Sequence, residues 1–288
     1  MVSTATRHRI ELSAGPVHYR VAGPEDGRPV VFVHGFLVDD TLWADVPERL
    51  AAAGFRTFTP TWPLGSHPEA MTEGADLSPR GIARLVLELL SALDLTDVVL
   101  VGSDTGGGVS QLVLAEDPSR IGGLVLTNCD AFETFPPFPF NLLFRLGRHP
   151  GAARLVLQSM RSSALRNSRL GFGWLVRRDL APEESAGWVA PYLSDAGVRR
   201  DVASFCRGWH PGDLVEASER MAGYERPVLL CWAPADPFFG LDLAKRLLAT
   251  CPRATLVEVE GSRTFVSLDQ PERLAEEILA WAGVGGSA

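Results

Sequence analysis

No stretch of this 288-residue chain stays apolar long enough to cross a bilayer as a helix. The first fifteen residues carry Arg7, His8, Arg9 and Glu11 and no apolar core of the kind a secretory leader needs. These absences predict a cytoplasmic protein without a membrane partner. Positive charge is scarce: 27 Lys and Arg against 35 Asp and Glu leave a net charge of -8, too few cations to neutralise nucleic-acid phosphates. Cys129, Cys206, Cys231 and Cys251 lie far apart and form no CxxC pair, and Cys129 and Cys231 end apolar runs, which predicts buried free thiols. No group of His, Cys and acidic residues has metal-ligand spacing. Glycines 102, 106, 107 and 108 have neither the spacing of a dinucleotide loop nor a following Gly-Lys-Ser/Thr. Neither a metal nor a cofactor is expected. With 22% charged and 46% hydrophobic residues the chain has the composition of a folded globular protein, not a disordered one.

Residues 8–13 and 17–22 read as an opening hairpin, and Pro29–Val33 reads as a buried strand ending in His34-Gly35. Trp43, Val46 and Leu50 mark one face of the next helix, and Phe55–Pro60 forms a short strand. Ser78-Pro79 supplies a capping hydroxyl and a proline at the first helical position. Ile82, Leu85, Val86, Leu89 and Leu90 then recur at helical spacing. Strands at 98–101 and 121–126 flank a further helix. This alternation predicts an α/β fold, a mostly parallel sheet with helices on both faces. The pattern breaks near residue 132, where FETFPPFPF opens a segment of short helices containing Trp174, Trp188, Trp209 and a group of arginines at 154, 161, 166 and 169. It resumes at Pro227–Trp232 and ends in a helix from Pro271 to Trp281. The expected organisation is a core at 1–131, an inserted helical cap at 132–212 and the rest of the core at 213–288, with GVGGSA as a flexible tail.

The most informative segment is Val98-Val99-Leu100-Val101-Gly102-Ser103-Asp104-Thr105-Gly106-Gly107. A strand that turns sharply into a helix tolerates only small residues two before and two after the residue at its tip. Centring on Asp104 puts Gly102 and Gly106 at those positions, whereas centring on Ser103 puts Val101 and Thr105 there. Asp104 is therefore expected to project over the sheet edge, although an aspartate can also serve simply to cap the helix. The backbone N–H groups of Thr105 and of Phe36, after His34-Gly35, are placed to hold an anion or oxyanion beside it.

In these motifs the chain resembles the α/β-hydrolase superfamily over nearly its whole length, specifically the branch of haloalkane dehalogenases and epoxide hydrolases. That resemblance implies an aspartate nucleophile that forms an ester, a histidine that activates water to hydrolyse it, and an acid that orients the histidine. Asp236, in Ala233-Pro234-Ala235-Asp236-Pro237, matches the acid; Asp130, just past the 121–126 strand, is the fallback. Asn128, Cys129, Trp43, Thr264 and Phe265 are expected around the pocket, and Tyr192, with Tyr224 as the weaker choice, could protonate an opening epoxide. The segment Gly261-Ser262-Arg263-Thr264-Phe265 departs from the family: Thr264 stands where the histidine should be. A threonine hydroxyl cannot take a proton near neutral pH as imidazole does. His34 and His210 are the possible replacements among six histidines. The branch's tryptophan after the nucleophile is replaced by Thr105, Phe36 stands where a halide-binding Asn or Trp would be, and Leu37 replaces a proline.

These residues imply a hydrolase-like enzyme for a hydrophobic small molecule, opening an epoxide or alkyl halide with Asp104 as nucleophile or general base. A non-hydrolytic cyclase or isomerase and a catalytically silent binding protein remain open, as do a monomer and a homodimer.

Overall fold

In the computed structural model, which describes residues 5–285, eight strands form one sheet in the order β1-β2-β4-β3-β5-β6-β7-β8. β1 (Thr6–Leu12) and β2 (Gly15–Ala22) make the expected hairpin, and β2 pairs antiparallel with β4 (Arg56–Thr61). β3 (Pro29–Val33), β5 (Val98–Asp104), β6 (Ile121–Cys129), β7 (Val228–Trp232) and β8 (Ala254–Glu258) extend it in parallel.

The central strands are apolar at consecutive positions because both sheet faces are covered. Alternate side chains feed two cores. Val30, Phe32, Val99 and Val101 pack beneath α1 (Val46–Ala52) and the last helix, whereas Val31, Val33 and Leu100 face α2 (Pro79–Ala92), α3 (Thr105–Glu116) and the helices above them. Each such fully buried side chain contributes about 1.5–3 kcal/mol. The Ser78 hydroxyl accepts the Gly81 N–H at 3.0 Å and so starts α2 as its sequence predicts.

Between β6 and β7 lie α4 (Phe140–Gly147), α5 (Pro150–Leu157), α6 (Ser163–Arg166), α7 (Pro182–Ser194) and α8 (Ala196–Gly208), followed by α9 (Asp213–Arg220), which packs on α3. This is the inserted helical subdomain. Aromatic rings seat it on the core: Phe36 packs tilted against Phe144 and stacks on Phe205, with centroids 4.8 and 5.7 Å apart. A buried polar tie assists. His67 Nε2 lies 3.2 Å from Asp201 on α8, whose carboxylate also accepts the Met71 N–H at 2.7 Å. Of the arginine group, Arg166 is buried and holds the carbonyls of Met160 and Pro182.

After β7 come α10 (Leu241–Thr250), α11 (Val266–Asp269) and α12 (Pro271–Gly285). Part of the expected tail is thus helical, because α12 continues to Gly285; residues 286–288 lie outside the described residues. All four cysteines are buried free thiols. Among the described residues no helix is long and apolar enough to cross a membrane, and no His, Cys, Asp and Glu cluster is arranged to hold a metal.

Candidate active site

Asp104 is the turning point between β5 and α3, and it has φ 54° and ψ -131°, a conformation an L-residue adopts only when its surroundings impose it. Glycine makes those surroundings possible. A methyl group on Gly106 would collide with the carbonyl oxygens of Val33 and His34, and one on Gly35 would enter the Asp104 carboxylate itself. Ser103 is fully buried while Asp104 is partly open, so the residue at the tip is the aspartate. Its side chain makes no cap to α3. Instead Oδ2 accepts the Phe36 N–H at 3.2 Å, and the Thr105 N–H also favours the charged form.

Around this carboxylate the fold gathers two more. β6 brings Cys129 into register with Asp104, and the Asp130 N–H donates to the Asp104 carbonyl at 3.3 Å. Asp130 is fully buried, and neither carboxyl oxygen has a hydrogen-bond partner. Burial, then the neighbouring Asp104 charge, pushes its carboxyl well above the usual range, and the Thr105 hydroxyl works against that rise. Gln111 fixes the loop: its Nε2 donates to the Asp130 carbonyl at 2.7 Å while its Oε1 accepts from Ser218.

Asp236 divides its two oxygens. Oδ1 accepts the N–H groups of Phe238 (2.8 Å) and Phe239 (3.2 Å), the turn-holding role an aspartate often takes. Oδ2 is buried without a partner. Thr264 faces this carboxyl and lowers its pKa, yet its own buried hydroxyl closes no hydrogen bond of good geometry. Burial raises Asp236 from 3.8 to about 6 against the two backbone N–H groups. Asp104 likewise rises from 3.8 to about 6: burial dominates, the Thr105 and Phe36 N–H groups oppose it, and the Asp236 charge adds to it. Three carboxyl groups therefore share a site from which imidazole is missing.

The loop carrying Thr264 is clasped to the helical subdomain. Phe265 N–H donates to the Leu175 carbonyl at 3.0 Å, and Asp269 accepts the backbone N–H groups of Arg177, Arg178 and Arg263. Phe265 itself is buried edge-on to Trp188. Above Asp104 opens an apolar cavity of about 210 Å³ lined by Phe36, Phe140, Phe144, Met160, Phe172 and Trp174, with Arg169 and Leu170 also contributing.

Several expected site residues sit elsewhere. Trp43 packs on Phe32, centroids 4.8 Å apart, in the α1 and α12 layer, because the turn before α1 carries it to the opposite sheet face from the cavity. His34 is fully engaged: Nδ1 donates to the Gly35 carbonyl (2.9 Å) and Nε2 accepts the Trp62 N–H (2.7 Å). Burial holds it neutral, with its pKa lowered to about 4. His210 is exposed and closes its own loop through Gly212 and Asp213. Tyr192 is buried beside Cys206 and Arg199, away from the cavity lining, and burial raises it to about 12. Tyr224 reaches the Ile121 carbonyl. Asn128 braces the turn that carries Asp236, bonding Ala233 and Phe239, and Cys129 packs against Gly107. Of the aromatic run at 132–140, Phe135 is core while Pro136, Pro137, Pro139 and Phe140 line the cavity. Gln111, Ser218, Arg169 and Trp174 carried no motif that would mark them.

A mostly parallel sheet interrupted by a helical subdomain, with a strained elbow at the C-terminal end of a central strand, defines an α/β-hydrolase-fold enzyme. The chain belongs to the alpha/beta hydrolase family, whose family model matches residues 30–277. It is 27% identical over 287 residues to haloalkane dehalogenase 2 of Mycobacterium tuberculosis, covering 93% of this chain and 92% of that protein. It is 26% identical to a haloalkane dehalogenase of Mycolicibacterium paratuberculosis, covering 92% and 87%. Among solved structures, haloalkane dehalogenase DbeA from Bradyrhizobium elkani superposes with a TM-score of 0.80 at 18% identity, covering 99% of this chain and all of that one. Carboxylesterase CesB from Bacillus subtilis gives 0.74 at 17% identity, covering 96% and 91%. The two structural likenesses speak to fold alone.

Proposed function

We propose that this protein displaces a stable anionic leaving group, of the alkyl-halide type, from a hydrophobic small molecule, with Asp104 as the nucleophile. The observation that carries this reading is the strained presentation of the Asp104 carboxylate, one oxygen fixed by the Phe36 N–H, to the apolar cavity. At neutral pH a carboxyl of pKa about 6 is mostly ionised and only lightly solvated, which favours attack. The carboxylate oxygen bonds to the electrophilic carbon, the carbon–halogen bond breaks, and halide departs with the electron pair. An epoxide would need a proton for its alkoxide. Among the described residues lining the cavity only Asp104 and Arg169 ionise, and neither suits that task.

The second half-reaction hydrolyses the ester. Water adds to the Asp104 carboxyl carbon, the Phe36 and Thr105 N–H groups face the oxyanion, and the proton passes to Asp236. Asp236, at about 6, is close to imidazole in basicity and has Oδ2 free, whereas the Thr264 hydroxyl can only orient water. The alcohol leaves with that proton, and Asp104 retains one oxygen from water together with the second proton, which it releases to solvent as it ionises again. This base lacks the histidine's reach, so discharge is slower than alkylation and the ester accumulates.

Turnover of a long-chain alkyl bromide in oxygen-18 water, followed by peptide mass analysis, tests the route. Label in the Asp104 carboxylate, lost in Asp104→Asn, is the expected result. Turnover without label or ester at Asp104 would show that it acts as a base on water, and ligand binding without either would favour a non-hydrolytic or silent protein.

A further inference from the structure

Beside the apolar cavity lies a second one of about 440 Å³, walled by residues 163–182 and Arg263. Four arginines, Arg169, Arg177, Arg178 and Arg263, line it against one carboxylate, Asp179. Two are occupied: Arg178 pairs with Glu184, and Arg263 Nη1 donates to the carbonyls of Trp174 and Val176. The side chains of Arg169 and Arg177 are exposed and make no ion pair among the described residues. Nearby Asp269 is already engaged by the backbone N–H groups of Arg177, Arg178 and Arg263.

The two cavities meet at Arg169, which lines both. Its neighbour Leu170 lines the apolar one while remaining 75% exposed. An apolar cavity with a carboxylate in its wall, adjoining a second cavity lined by unpaired guanidinium groups, has the polarity of an amphiphile. We propose that the substrate is an anionic amphiphile: its apolar chain lies in the cavity with the reacting carbon at Asp104, and an oxyanion headgroup, carboxylate or phosphate, lies against Arg169 and Arg177. Guanidinium forks match both headgroups. Local charge decides this despite the acidic chain, because distant carboxylates are screened over a Debye length of about 8 Å. The chain must also keep the headgroup away from the negative charge of Asp104, so short anionic electrophiles are poor substrates.

This assignment rests on Asp104 being the reacting carboxylate, and the test separates the two. Ester formation on Asp104 is timed by intact mass with ω-bromodecanoate and with its neutral methyl ester, in wild type and in the Arg169→Glu/Arg177→Glu variant, with thermal melting as the check on folding. The free acid is expected to reach half-maximal rate at about tenfold lower concentration than the methyl ester. That preference should weaken with salt and vanish in the variant. Competition by decanoate and by decyl phosphate identifies the headgroup. Equal rates for acid and ester, or a preference that survives the double substitution, overturns the headgroup site and leaves the Asp104 reading standing. No ester with either probe, but arginine-dependent decanoate binding by calorimetry, keeps the headgroup site and overturns the Asp104 reading.

Discussion

Replacing Asp104 with asparagine should make the protein more stable at neutral pH while abolishing ester formation. Burial lifts the folded-state pKa from 3.8 to about 6. At about 1.4 kcal/mol per unit, that shift is a cost of about 3 kcal/mol to the folded state once the group ionises. The sign follows from where the proton binds. Below about pH 4 both folded and unfolded states carry it and no cost exists. Between pH 4 and 6 the unfolded state ionises first and the cost grows, and above 6 it is constant. Asparagine escapes this cost but accepts the Phe36 N–H more weakly, a loss of about 1 kcal/mol. The net gain is about 2 kcal/mol at pH 7.5, or about 3 °C in Tm for a chain of this size. Urea unfolding of both proteins at pH 4 and 7.5 measures it. A gain of the same size at both pH values, or an asparagine variant less stable at pH 7.5, would refute the reasoning.

Ester formation should rise with pH, reach half its maximum near pH 6 as Asp104 ionises, and level off above about 7; a flat rate from pH 5 to 8 contradicts the ionisation assigned here. Asp236→Asn should leave alkylation within a few-fold of wild type yet slow discharge of the ester at least about tenfold, measured by mass after excess reagent is removed. Gly35→Ala drives a methyl group into the Asp104 carboxylate and should cut ester formation by roughly a hundredfold; full activity would mean that the carboxylate reacts from another position. Asp201→Ala strips buried His67, Met71 N–H and Arg200 of their partner and should cost about 3 kcal/mol or more in urea unfolding, with less than 1 kcal/mol contradicting the tie.

Much of this site was legible because backbone geometry constrains residue type. Gly102 and Gly106 flank Asp104 for a steric reason that operates in any sequence forming this turn, so the elbow could be located and Ser103 rejected. Asp236 was ambiguous between turn and site: one oxygen holds the turn, and the other is buried without a partner. His34 was harder. Motif position placed it near the oxyanion donors, but only coordinates reveal that Gly35 and Trp62 occupy both ring nitrogens. Trp43 shared the apolar character of a pocket residue, and its sheet face depends on a short turn whose direction composition does not encode. The helical subdomain was the least legible. Arg166 and Arg169 look alike in sequence, yet one is a buried brace and the other stands between two cavities. The His67–Asp201 pair joins residues from separate segments and follows no local period.

The most direct measurement is a time course of intact mass for the wild type and for Thr264→His, each treated with a long-chain alkyl bromide and then freed of excess reagent. One alkyl group per chain, mapped to Asp104 and persisting in the wild type but discharged in Thr264→His, is the expected result. An unmodified Asp104, or an ester equally short-lived in both proteins, would contradict a carboxylate nucleophile whose partner is limited by Thr264.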